Sequence, residues 1–244
     1  MTRPFLIIQL RPEDEISDNE FEKIRYYGEL QNHEVERFRI EKFKLPDMDL
    51  GRYSGVIVGG SPFDLSTPSR DKSALQQRIE ADFRSLFDVL VAEDFPFLGC
   101  CSGSGLLGSY CGVRISTRFG EAVSGVDVTI TEAGRHDPLL KGMPKFIRVL
   151  LGHKEACDEL PPEASLLIEG KECPVQMFRL KSNIYATQFH PEGDPEGFAV
   201  RINAYKHHGY FAPETVTTLI NRLSNEKAPH AQQILKRFVA RYRR

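Results

Sequence analysis

The sequence has almost no charge of one sign to spare: 32 basic residues against 34 acidic ones leave a formal net charge of −2. A chain so balanced carries no global field for nucleic acid or for an anionic membrane surface. It also lacks any apolar run near the length of a membrane-spanning helix, and Phe5-Leu6-Ile7-Ile8 is too short for the core of a signal peptide. The expectation is a cytoplasmic protein with neither a membrane nor a nucleic-acid partner. Cysteine is sparse. The five cysteines, at 100, 101, 111, 157 and 173, are odd in number and lack paired metal-ligand spacing, so they fit a reducing compartment better than a disulfide framework. No metal and no cofactor are expected. There is no GxxxxGKS or GxxxxGKT phosphate loop, no internal repeat, no low-complexity tract and no polar stretch resembling a linker. A chain of 244 residues without a linker suits one large α/β domain spanning 1–244, long enough to bury a sizeable core.

What is present is an alternation of buried strands and amphipathic helices. Pro4 to Leu10 reads as a strand, and Ser17 with Glu20 as a capping box opening a helix to about Leu30. Val35 to Ile40 and Gly55 to Val58 read as further strands. Ala74 to Ala92 places Leu75, Ile79, Phe83, Leu86, Phe87 and Leu90 at helical spacing. Such βαβ alternation predicts a mostly parallel twisted sheet flanked by helices. Beyond residue 110 the texture changes to short strands at Gly125 to Ile130, Phe146 to Leu151, Ser165 to Glu169 and Val175 to Leu180, an antiparallel addition to the same domain. Helices follow at Phe198 to His207, Pro213 to Leu223 and Gln232 to Tyr242.

The chemistry concentrates where a short apolar run meets glycines, in Pro96-Phe97-Leu98-Gly99-Cys100-Cys101-Ser102-Gly103. Gly99 and Gly103 stand two residues either side of Cys101, giving GxCxG, the thiol counterpart of the GxSxG strand-to-helix elbow. A thiol at a helix start feels the positive end of the macrodipole, and the Ser102 N–H faces a developing oxyanion. The competing reading is a small buried cysteine packing a tight turn. Cys100, at the strand end, is expected to point into the core. Far along the chain, Asn183 to Phe189 alternates like a strand and runs into His190-Pro191-Glu192. Pro191 stops the strand. A histidine there takes a thiol proton, and a carboxylate two residues on orients the imidazole. In a parallel sheet, Gly60, Cys101 and His190 all converge beyond the carboxyl ends of strands.

Taken in order, these segments resemble the class I glutamine amidotransferases, and within them the free-standing GMP-synthase-like amidotransferase domains. The matching segments are Val56-Ile57-Val58-Gly59-Gly60-Ser61-Pro62, the cysteine elbow, Arg118-Phe119-Gly120-Glu121 through Ile130, His136-Asp137-Pro138-Leu139, Gly152-His153-Lys154-Glu155 and Gln188-Phe189-His190-Pro191-Glu192. The resemblance covers about residues 4–210, leaving 211–244 as a C-terminal helical extension. It implies a flavodoxin-like fold and a Cys–His–Glu triad of Cys101 as nucleophile, His190 as base and Glu192 as its orienter. It further implies an oxyanion hole from the Gly60 and Ser102 amides. The implied reaction is hydrolysis of the glutamine side-chain amide through a cysteine thioester, releasing ammonia for a separate synthetase or other acceptor enzyme.

The sequence departs from the family at two positions. Gly105 stands where the family usually has a glutamine that helps hold the substrate, and Ser104 where histidine is frequent. Two alternatives follow: a thiol hydrolase of γ-glutamyl or related amides, in which Gly105 makes room for a larger substrate, or a non-catalytic regulatory module. Gly105, Glu121 and His153 are the candidate substrate-binding positions. Glu121 either faces the pocket and receives an ammonium group or is a surface carboxylate; His153 either approaches the substrate or stabilises a turn. The stretch with Asp64, Ser66 and Ser69 reads as a mobile rim. His207-His208 lacks a third ligand at helical spacing. The terminal basic cluster at 236–237 and 241–244 either touches an acidic partner or is a solvated helix face.

Overall fold

The computed structural model describes residues 2–206 and 212–244. The chain forms β1 (Phe5–Gln9), α1 (Asp14–Tyr27), β2 (Val35–Arg39), β3 (Gly55–Val58), α2 (Ala74–Glu93), β4 (Phe97–Cys100) and α3 (Ser102–Tyr110). It continues with β5 (Ile115–Ser116), β6 (Glu121–Ile130), α4 (Glu132–His136), β7 (Phe146–His153), β8 (Ala156–Cys157), β9 (Ser165–Glu169), β10 (Met177–Leu180) and β11 (Ile184–Thr187). The last described helices are α5 (Pro195–Tyr205), α6 (Val216–Leu223) and α7 (Pro229–Tyr242).

Nine strands join one sheet in the order β2-β1-β3-β4-β11-β10-β9-β6-β7. From β2 to β11 every pairing is parallel, and from β11 onward every pairing is antiparallel. This is the expected α/β architecture with its antiparallel addition. Alternate residues of β1 explain why it reads as an unbroken apolar run. Phe5 and Ile7 pack with Ile24 of α1 and Phe238 of α7, while Leu6 and Ile8 pack with Ile79, Phe83 and Leu90 of α2. A strand covered on both faces has no solvent side to mark with polar residues. Cys100 is buried in the first of these clusters, as expected.

Register fixes the position of the site. Val58 of β3 is level with Gly99 of β4, and Cys100 is level with Thr187 of β11. The three strands therefore end on one edge. Gly59-Gly60, Cys101 and the segment leading to His190 all leave the sheet there.

Several boundaries differ from the sequence reading. The first helix begins at Asp14, and its N-cap, Glu13, makes no side-chain cap. Ser17 and Glu20 are buried inside the helix, where Glu20 pairs with Arg11 and so makes no capping box. Acidic Asp14 and Glu15 sit in the first turn, where they favour the helix dipole. β11 ends at Thr187, three residues before His190; beyond it the Gln188 N–H donates to the Gln176 carbonyl just ahead of β10, and the His190 N–H to the Leu150 carbonyl of β7. The two-residue strands β5 and β8 pair with each other outside the main sheet. The helix expected to run to His207 is α5, and both His207 and His208 lie outside the described residues. The terminal basic residues are engaged within the chain, where Lys236 pairs with Glu29 and Arg243 with Glu34. Arg237 donates to the carbonyls of Leu139 and Lys141. Among the described residues, no helix is long and apolar enough to cross a membrane.

Candidate active site

Cys101 occupies the tight turn between β4 and α3 with φ 53° and ψ −99°, a conformation that a residue with a side chain rarely adopts. Its N–H donates to the Thr187 carbonyl at 2.7 Å, and its own carbonyl accepts from Ser104 and Gly105 N–H groups at 3.0 and 3.1 Å. The elbow is thus clamped from both sides. A Cβ at Gly99 would lie 2.7 Å from the Gly103 carbonyl carbon, so the strand end and first helical turn approach closely only because residue 99 is glycine. Ser102 Oγ accepts from the Ser61 N–H at 2.8 Å, tying the elbow to the glycine loop after β3.

His190 is buried, with its ring edge-on to Phe198 at 5.6 Å between centroids. Its Nδ1 lies 2.7 Å from Oε1 of the fully buried Glu192. A carboxylate only accepts, so Nδ1 carries the hydrogen and Nε2 is left for the cleft. Burial alone would lower the proton affinity of the ring, but the Glu192 charge outweighs it and the pKa is raised to about 9, with Arg201 opposing and Cys101 adding through charge and a hydrogen bond. Burial would raise the Glu192 pKa, yet His190 and Arg201 together hold it well below the usual carboxylate range.

Cys101 and His190 line one cleft. Gly105, His153, Ser102 and Gln188 line it too. A Cβ at Gly105 would meet Leu65 Cδ1 at 2.9 Å, so the tip of the Leu65 side chain has to turn aside before a residue larger than glycine fits there. Glu121 stands behind His153, off the cleft lining, rather than in the pocket or on the surface. Its Oε2 lies 3.1 Å from His153 Nε2 and accepts from Gln176 Nε2 at 2.7 Å. His153 Nδ1 faces the Glu155 carbonyl at 3.1 Å, so the histidine both lines the cleft and braces its wall. The expected mobile rim is tied down: Leu65 and Ser66 N–H groups donate to the Glu155 carboxylate, and Asp64 pairs with Lys154.

The Gly60 amide is engaged, donating to Glu20 Oε2 at 3.2 Å. That oxygen also accepts from Arg11 Nε at 2.6 Å, and Arg11 Nη1 donates to the Tyr205 hydroxyl at 3.1 Å. Arg201 Nη2 donates to Glu192 Oε1 at 2.9 Å, and its guanidinium lies over the Phe198 ring. Arg11 and Arg201 are absent from the sequence reading, and Glu20 enters it only as half of a capping box. A signal exists for two of them: Arg11 follows the carboxyl end of a parallel strand, and Arg201 is the one charge on the face formed by Phe198, Ile202 and Tyr205. Glu20 matched a capping pattern that concealed it.

The buried imidazole–carboxylate pair shares its cleft with the cysteine on the strand-to-helix elbow. The class-I glutamine amidotransferase family model matches residues 15–204, and the chain belongs to that family. It is similar to one subunit of the glutamine-hydrolyzing GMP synthase of Pyrococcus abyssi, 30% identical over 149 residues, covering 61% of this chain and 71% of that one. It is also similar to gamma-glutamyl peptidase 3 of Arabidopsis thaliana, 28% identical over 203 residues, covering 73% and 74%. A solved glutamine amidotransferase from Thermotoga maritima shares the fold, with a TM-score of 0.73 at 18% identity over 98% of both chains.

Proposed function

We propose that this chain hydrolyses the γ-amide of a γ-glutamyl compound through a thioester on Cys101, with glutamine as the smallest substrate and its ammonia passed to a separate acceptor enzyme. The observation that carries the reading is the Nδ1 to Oε1 contact of 2.7 Å between His190 and Glu192 on the wall that also holds Cys101. The Cys101 thiol gives its proton to His190 Nε2 as its sulfur adds to the amide carbon, and the carbonyl electron pair moves onto oxygen. The Ser102 N–H at the start of α3 stabilises that charge. The Gly60 N–H joins it, since its bond to Glu20 is long at 3.2 Å and an oxyanion is a strong competing acceptor. On collapse the C–N bond breaks and His190 gives its proton to the departing nitrogen. Water, deprotonated by His190, then cleaves the thioester to release glutamate and the thiol.

The relatives named as one subunit of a GMP synthase support ammonia transfer to a second polypeptide. A second reading, in which a larger amine leaves, is favoured by the cleft wall that continues past His190 along α5. The relative named a gamma-glutamyl peptidase supports it. The test is release of ammonia or amine from glutamine and from a panel of γ-glutamyl amides, comparing the unaltered chain with Cys101→Ala. Turnover of at least one substrate that disappears in the variant is expected. Turnover that survives it would reject the nucleophile.

A further inference from the structure

The cleft wall beyond His190 carries a cation that thioester chemistry on glutamine does not use. Arg11 is 4% exposed and lines the cleft. Its guanidinium is held at two of its three nitrogens, Nε by Glu20 and Nη1 by the Tyr205 hydroxyl, and among the described residues Nη2 has no hydrogen-bond partner. A Cβ built on Gly60 would lie 2.5 Å from Arg11 Nη2 and 3.1 Å from His190 Cε1. The spare nitrogen and the imidazole therefore look over the same glycine into the same space. Nη2 is open to the cleft, where water or an anionic group of a ligand supplies its acceptor.

Position decides which part of a substrate reaches that nitrogen. The imidazole protonates the leaving nitrogen, so whatever is attached to that nitrogen lies on the His190 side, next to Arg11. In glutamine only hydrogens are attached, and the substrate offers Nη2 no anion. In a γ-glutamyl amino acid the carbon bonded to the leaving nitrogen bears a carboxylate, the planar anion a guanidinium recognises best. Phe198 and Ile202 of α5 line the same wall and offer apolar surface to that amino acid's side chain.

We propose that Arg11 forms a subsite for the α-carboxylate of the leaving group, and that the preferred substrates are γ-glutamyl amino acids with that carboxylate free. This rests on the thioester reading of Cys101. The balance is simple: the sulfur–carbon bond forms as the amide C–N bond breaks, the amino acid leaves with the His190 proton, and water returns glutamate and the thiol.

The experiment compares kcat/KM of the full chain for γ-glutamylalanine, γ-glutamylalaninamide and glutamine. The dipeptide is expected to exceed its amide, and glutamine, by about tenfold or more, the usual size of one hydrogen bond between charged groups. Arg11→Lys keeps a cation against Glu20 but removes the fork, and with its fold checked by thermal melting it should shrink the ratio of dipeptide to amide severalfold. Equal kcat/KM for dipeptide and amide, or a preference for glutamine, would overturn the subsite while leaving the thioester reading in place. Turnover of none of the three would overturn both.

Discussion

Arg201 donates to the same oxygen of Glu192 that holds the His190 ring, with Nη2 at 2.9 Å and Nδ1 at 2.7 Å. One carboxylate oxygen thus answers to two cations, and the guanidinium opposes the rise that Glu192 imposes on the imidazole. Arg201 reaches the His190 ring through Glu192, as a positioning residue.

Replacing Arg201 with methionine removes that opposition, so the His190 pKa rises further. The limb of the pH–kcat/KM profile set by His190 should move to higher pH, with activity near neutrality falling about ten- to a hundredfold. Arg201→Lys should restore part of the profile. A drop in rate with the limb unmoved would show that Arg201 serves packing alone.

The same pair sets a pH dependence of stability. His190 binds its proton more tightly folded, about 9, than its ordinary 6.5, so its contribution is full below pH 6.5 and is lost as pH rises through about 9. Glu192 is held low, so its contribution is present above its ordinary 4.5 and lost as pH falls. Urea midpoints should fall between pH 7 and 9.5 in the unaltered chain. In His190→Asn they should fall less over that interval, and an equal fall in both would contradict the assignment.

Glu20 joins the glycine loop, Gln9 and Arg11. Glu20→Ala leaves the Arg11 charge buried without its partner, a loss on the order of 3–5 kcal/mol. At about 2–4 °C per kcal/mol for a chain of this size, the melting temperature should drop roughly 6–20 °C. A drop of under about 2 °C would mean that the Arg11–Glu20 pair does not hold the loop.

Gly105→Gln restores the side chain usual in the family, yet Leu65 Cδ1 stands 2.9 Å from the new Cβ. The single substitution should leave the KM for glutamine unimproved, whereas Gly105→Gln combined with Leu65→Ala should lower it. An improved KM from the single change would show that Leu65 yields at no cost.

How much of this was legible in the sequence follows from where each interaction comes from. The parallel strands were readable because both faces of β1, β3 and β4 are buried, which leaves compact apolar runs between turns. The elbow was readable because Gly99 has to admit the Gly103 backbone, a local steric demand. Glu20 was misread because Ser17 and Glu20 carry the spacing of a capping box, while the partner that claims Glu20 is Arg11 on another segment. Glu121 was misplaced for the same reason, since His153 and Gln176 reach it from two other strands or their ends. Strands β5 and β8, two residues each, are too short to leave a period.

The central claim is a covalent γ-glutamyl thioester on Cys101, and the most direct measurement is intact-mass spectrometry of the chain acid-quenched during turnover of glutamine or γ-glutamylalanine. The account predicts a fraction of protein heavier by one γ-glutamyl group, mapped to the peptide bearing Cys101. It predicts no such species in Cys101→Ala, whose kcat should fall at least about a thousandfold. Sustained turnover by Cys101→Ala, or an adduct mapped to another residue, would contradict it.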